Sequence, residues 1–199
     1  MTDNDELVVV LDSSCKNNEA TKKVLFEFNN NDNWYLTHDL NNDYSSHKNW
    51  GASHCNGDWI FQIDGDELPT ETLLLNLKSI LALNDSVEAY WVSRINDFRG
   101  VTTEHARMWG WKLTNSPTYN RPIVNWPDPQ CRIFKHKPEI QWHGRLHERI
   151  EGNANYAFLP ADEDLSLYHD KTIEKQLETN ARYNKEFSEK ENRGFNIPK

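Results

Sequence analysis

The sequence predicts an α/β fold, a mostly parallel sheet with flanking helices. Three observations carry that expectation. Residues 7–11 and 59–63 are short apolar runs, continuous rather than alternating, as in strands covered on both faces. Residues 19–28 and 71–83 place apolar side chains at helical spacing between strand candidates. The strand candidates end in polar or acidic residues, at the sheet edge where open α/β folds bind ligands. At 199 residues the chain is expected to be a single domain, residues 1–199, around one core.

In chain order, residues 7–11 read as a buried parallel strand ending in Asp12 and the loop Ser13-Ser14-Cys15. Ala20, Val24, Leu25 and Phe28 give the helix over 19–28, and the polar run 29–33 gives a turn. A short strand over 34–36 ends near His38 and Asp39, and residues 49–55 suit a short helix. The strongest strand is 59–63. Pro69 and Thr70 then open a helix with an acidic start over 71–83, followed by a strand over 89–95. Residues 96–130 carry Trp109, Trp111, Pro117, Pro122, Pro127 and Pro129 and read as a long irregular segment. Strands are expected again at 131–135, 156–159 and 165–168, with a closing helix at 173–189.

Composition narrows the function classes. A net charge of -9 argues against a broad nucleic-acid surface, though not against action on a single base in a local basic cleft. Cys15, Cys55 and Cys131 lack zinc-site spacing and read as free thiols in a reducing compartment. Without a spanning or secretory segment, the expected location is cytoplasmic. The 8 Trp, 7 Tyr and 8 Phe suit both a core and clefts that stack on sugar rings or bases.

The densest chemistry lies in Asp64-Gly65-Asp66-Glu67 at the end of the strongest strand. A glycine between two aspartates lets the chain turn and aim both side chains at one point, a seat for a hard divalent cation and, through it, a diphosphate. An EF-hand is excluded, because Leu68 and Pro69 stand where that loop needs an oxygen ligand and a glycine. The other reading is a solvated turn between strand and helix. Asp12 ends the first strand and suits contact with a ribose or base, or a capping role. In the run from Gln141 to Glu148, His147 offers a metal ligand and Glu148 a base, while Gly144 argues against a helical His143–His147 zinc pair. His169 would complete an Asp/His metal site, with Asp170 capping the last helix. Arg132 would pair with a phosphate or buttress the acidic cluster, and sequence alone does not separate these.

These residues resemble family 2 glycosyltransferases of GT-A fold. The match runs from Asn49-Trp50-Gly51-Ala52 through Gly57 to Glu67, where that family has an asparagine-bearing helix, a strand and an Asp-x-Asp metal motif. Residues 7–12 with Ser13-Ser14 are similar to the family's second strand, whose last aspartate contacts the nucleotide base. Arg132-Ile133-Phe134 followed by Gly144-Arg145-Leu146-His147-Glu148 is similar to a later pattern in a subgroup. The family's usual first strand and helix have no counterpart before Leu7, so the fold is expected to be N-terminally shortened. Either residues 7–11 then pair directly with 59–63 in a contracted sheet, or a second copy or another chain completes it.

The resemblance implies metal-dependent, inverting transfer of a sugar from a nucleoside-diphosphate donor, a UDP-sugar first among them, to an acceptor hydroxyl. Asp64 and Asp66 would hold Mn²⁺ or Mg²⁺, with His169 or His147 as a further ligand, and Asp12, Asp64 and Arg132 would contact the donor. Glu148, or else Asp97, would be the base. Residues 5–98 would form the nucleotide and metal half and 99–185 the acceptor half, shaped by Trp109, Trp111 and Trp126, with 186–199 as a tail. Two other classes compete: a nucleotidyltransferase, disfavoured by the lack of a basic glycine-rich loop, and a non-catalytic binding or assembly protein that keeps the scaffold. The acceptor stays open among a glycan, a protein side chain, a metabolite and a modified base.

Overall fold

The computed structural model describes residues 5–15, 18–29 and 35–193. Two compact units emerge. The first contains residues 1–60, 136–152 and 187–195; the second contains 61–135, 153–186 and 196–199. The architecture is α/β with helices flanking mixed sheets, parallel in some pairs and antiparallel in others.

In the first unit β1 (Val10–Asp12) pairs in parallel with β2 (Leu36–His38), which places Asp12 beside His38. The strand expected over 7–11 is therefore shorter and later, with Leu7 exposed and Leu11 its buried residue. α1 (Asn18–Asn29) lies where apolar spacing predicts it, but Val24, Phe26 and Phe28 are exposed. The predicted turn at 29–33 and the start of the strand at Trp34 fall largely outside the described residues. α2 (Tyr44–Ala52) begins before the predicted 49–55 because the Asp43 side chain accepts the Ser46 N–H and caps it there. β3 (Trp59–Phe61) follows and carries the chain into the second unit.

The second unit holds β4 (Glu67–Pro69), α3 (Glu71–Ala82), β5 (Ala89–Val92) and β6 (Arg94–Arg99). One predicted strand over 89–95 is thus two, broken at Ser93, whose C=O accepts from Leu167 N–H at 2.9 Å. Residues 96–130 are not irregular. They form the end of β6, α4 (Thr103–Trp109), β7 (Leu113–Ser116) and β8 (Arg121–Val124). Each piece is too short for a clear period, Pro122 lies within β8, and Pro117, Pro127 and Pro129 lie outside the strands. α4 is set by a capping box between Thr102 and His105 and ends at Gly110, whose φ of 66° suits glycine.

β9 (Gln130–Lys135) runs antiparallel to β5, which pairs in parallel with β12 (Tyr156–Phe158) on its other side. Between β9 and β12 in sequence, β10 (Gln141–His143) and β11 (Arg149–Glu151) form a hairpin of the first unit. A five-stranded sheet in the order β4-β13-β6-β8-β7 sets β13 (Leu167–Thr172) between β4 and β6, and α5 (Ile173–Glu186) closes the second unit. His169 and Asp170 lie inside β13 rather than in a loop. Asp170 pairs with Arg99 at 2.9 Å, and the Thr172 hydroxyl accepts the Lys175 N–H instead, so Thr172 opens α5. Trp109 and Trp111 pack with Leu113 against the buried cluster of Phe98, Val124 and Ile173. All three cysteines are free.

Candidate active site

Three strands bring the acidic motif together with β13. Glu67 on β4 is the register partner of His169, and His169 is the register partner of Asn96 on β6. Asn96 is in turn opposite Val124 on β8. Cross-strand neighbours project to one face, so this row seats Glu67, His169 and Asn96 side by side.

Asp64 opens a tight turn in which its C=O accepts the Glu67 N–H at 2.9 Å. Gly65 has space over its Cα that an added Cβ would not fill with any clash, and its φ is not in the left-handed region. The turn therefore does not require glycine for its backbone, contrary to the expectation from spacing. What fixes Asp64 is Arg132 on β9. Its Nη2 donates to Asp64 Oδ2 at 2.5 Å and to Glu67 Oε1 at 2.6 Å, while Nη1 donates to Gln62 Oε1 at 2.8 Å. Gln62 closes the loop by donating to Asp64 Oδ1 at 2.9 Å. The guanidinium thus buttresses the acidic turn, one of the two roles its position allowed.

Asp66 is placed differently. Its side chain is 54% exposed, and Oδ2 lies 3.3 Å from His169 Nε2. The neighbouring His169 holds the Asp66 carboxyl below the ordinary carboxylate range, against the opposing effect of burial. Lys171, two residues along β13 from His169, is held below the ordinary amine range by burial, with the Asp66 charge opposing. Behind the row, Arg94 donates to Asp128 Oδ2 at 2.7 Å and 3.0 Å and to Glu67 Oε1 at 3.2 Å. Arg94, Asn96 and Asp128 lie outside every motif the sequence offers. The one sequence signal pointing to them was the period of two along β6, which sets Arg94 and Asn96 on one face.

Among the described residues no group of three or more His, Cys, Asp or Glu side chains is gathered as a metal centre. The donors that are present do fit a hard divalent ion of the kind that uses one or two protein ligands and takes the rest from water and phosphate. Asp66 Oδ2 and His169 Nε2, at 3.3 Å, have nearly the separation of neighbouring ligands on such an ion, which at bond lengths of about 2.1 Å is about 3 Å. Each Asp64 oxygen receives a donor, Oδ1 from Gln62 and Oδ2 from Arg132.

Asp97 points to the opposite face of β6. It is 1% exposed, and Arg121 and Tyr168 both donate to it. Burial and this bond to Asp97 push the Tyr168 hydroxyl up to about 12. Both carboxylate oxygens are thus engaged in holding β6, β8 and β13 together.

The remaining candidates belong to the first unit. Asp12 Oδ1 accepts from Ser14 N–H at 2.9 Å, from the Ser14 hydroxyl at 2.7 Å and from Leu40 N–H at 3.1 Å. Burial raises its pKa, but these donors outweigh it and the net shift is downward. The loop after β10 carries Gly144 at φ 99° and an exposed His147 at φ 53°, so no helix forms there. Glu148 is paired with Lys48 of α2, whose ammonium lies 4.7 Å from the centre of the Trp142 ring. The neighbouring Asn49 grips β10 twice, donating to Trp142 C=O at 2.8 Å and accepting its N–H at 2.8 Å. α2 therefore holds the hairpin loop that presents Glu148.

The family described as "Glycosyl transferase family 2" has a model that matches residues 1–142, which contain Asp12, Asn49, Asp64, Asp66 and Arg132. No curated protein matches the chain. Among the described residues no helix is long and apolar enough to cross a membrane.

Proposed function

The chain belongs to glycosyl transferase family 2, and from that premise we propose that it moves a sugar from a nucleoside-diphosphate donor to an acceptor hydroxyl, assisted by Mn²⁺ or Mg²⁺. The observation that carries the proposal is the approach of Asp66 Oδ2 to His169 Nε2 beside the turn that Arg132 holds. Asp66 and His169 would hold the ion, with Asp64 at the start of the same turn as a further ligand. A bound ion would supply offsetting charge to the departing diphosphate.

Lys171 adds a cation on the same face as His169 and suits a diphosphate oxygen. Asp12 is assigned to the nucleoside and Glu148 to proton removal, both on the strength of the family pattern. Asp97 is given no part, because its buried carboxylate is taken up by Arg121 and Tyr168. As the acceptor oxygen forms its bond to the anomeric carbon, the bond from that carbon to the diphosphate breaks. Glu148 takes the hydroxyl proton, and a single displacement inverts the centre. His147, exposed on its loop, is a lesser candidate ligand than His169.

Calorimetric titration with UDP, GDP and CDP, each with Mn²⁺, tests this reading. Mn²⁺-dependent binding of one nucleotide, lost in Asp66→Asn, supports it and names the donor. Absence of nucleotide binding in folded native protein overturns it in favour of a scaffold that binds without turnover.

A further inference from the structure

We infer that Asn96 is a positioning residue: it locks His169 in the tautomer that carries its proton on Nδ1, so that Nε2 presents a lone pair beside Asp66. The Asn96 amide is fixed in orientation from both ends. Its nitrogen donates to Asp128 Oδ2 at 2.8 Å and to the Val124 C=O at 3.2 Å. Both partners are acceptors only, so a flipped amide would set oxygen against oxygen at two contacts. Oδ1 must therefore be the atom 2.8 Å from His169 Nδ1. An amide oxygen cannot donate, so Nδ1 carries the hydrogen.

The lock is anchored well outside the site. Asp128, which fixes the amide, is itself held by the Arg94 guanidinium, and Arg94 also reaches Glu67, the register partner of His169. Backbone register places His169 opposite Asn96 and Asn96 opposite Val124, so the contacts need no unusual side-chain reach. The Phe98 ring meets the imidazole nearly edge-on, at 5.6 Å and 77°, and restricts its rotation.

With the proton held on Nδ1, a neutral imidazole turns a bare Nε2 toward Asp66 Oδ2 at 3.3 Å. Two acceptors this close repel unless a proton or a cation lies between them. The Arg94–Asp128–Asn96 chain thus fixes the donor set before any ligand arrives, as outer partners of a ligating histidine commonly do. This inference rests on the divalent-cation reading above for its consequence, but the tautomer stands or falls separately.

The test is ¹⁵N NMR of histidine-labelled protein at about pH 8.5, above the ordinary imidazole range. Native protein is expected to show His169 protonated at Nδ1 and bare at Nε2, and Asn96→Leu to show a mixture. Asn96→Leu is also expected to bind Mn²⁺ roughly 10–100-fold more weakly by electron paramagnetic resonance. A proton on Nε2 in the native protein, whether alone or together with Nδ1, overturns the inference even if the variant does not fold. So does an unchanged tautomer in folded Asn96→Leu. If the expected tautomer is present but native protein binds no Mn²⁺, the cation reading fails and the Asn96 lock survives.

Discussion

Arg132 donates to Asp64 from the same nitrogen that holds Glu67, so one guanidinium ties the half-buried start of the acidic turn to its buried end. The Glu67 side chain is fully buried, and Arg132 and Arg94 are the cations that compensate it. Removing Arg132 takes one of these two cations from a buried carboxylate. Arg132→Met is expected to destabilise the protein by about 3–5 kcal/mol, read from denaturant unfolding. Arg132→Lys should recover less than half of that, because an ammonium cannot span the fork that reaches Gln62, Asp64 and Glu67. A loss under about 1 kcal/mol in Arg132→Met would show that the clamp adds little.

Two glycines separate a structural demand from a spatial allowance. Gly152 has φ 90°, and a Cβ there would lie 1.8 Å from the Glu139 carbonyl oxygen. Gly152→Ala is expected to cost more than about 2 kcal/mol in unfolding experiments. Gly65 meets nothing within 4 Å. Gly65→Ala should therefore stay within about 0.5 kcal/mol of native stability, while weakening nucleotide–Mn²⁺ affinity if the space above the turn receives the donor. Equal nucleotide affinity in native protein and Gly65→Ala would remove the turn's open side from the binding site.

The parts of this fold that could be read from sequence are those with strong local signals. α3 and β9 match expectation within a residue or so, since a helix of 12 residues with an acidic start carries its own period and Cys131, Ile133 and Phe134 mark the strand. β7 and β8 could not be read that way. At four residues each they are defined by pairing across a turn, and Pro122 obscures β8. The site divides along the same line. Asp64, Asp66 and His169 were visible as chemistry-bearing residues near strand ends, but the partners that fix them, Asn96, Arg94 and Asp128, come from register between distant strands. The role of Asn49 was hidden for the same reason, since its partner Trp142 is 93 residues away.

Acid should weaken the protein through His47. Burial, followed by the nearby His38, holds its imidazole below the ordinary value of 6.5, while Asp12 and Asp39 oppose the shift and Lys48 adds to it. The two histidines meet Nδ1 to Nδ1 at 3.2 Å, a contact that cannot survive with both rings charged. Because the folded value is depressed, the unfolded chain takes up the proton first as pH falls. The stabilisation is present in full above the unfolded imidazole value of about 6.5 and is lost as pH falls through the folded one. Thermal melts at about pH 7.5 and 5.5 should show a larger drop for native protein than for His47→Gln. Equal drops would assign the acid sensitivity elsewhere.

Glu148 allows its chemical role to be separated from its structural one. It forms an ion pair with Lys48, and both side chains are largely buried, at 13% and 9% exposure. If Glu148 only anchors the hairpin loop to α2, Glu148→Gln and Lys48→Met should both act through stability, since each breaks the same pair. If it also removes the acceptor proton, Glu148→Gln should lower kcat by at least about 100-fold while leaving KM for the donor and Mn²⁺ affinity nearly unchanged. The amide can still accept a hydrogen bond from Lys48, so its stability cost should be the smaller of the two. Lys48→Met leaves a carboxylate buried without that cation and should cost about 3 kcal/mol or more. A Glu148→Gln protein that folds, binds nucleotide with Mn²⁺ and turns over at the native rate would limit Glu148 to the architecture of the loop.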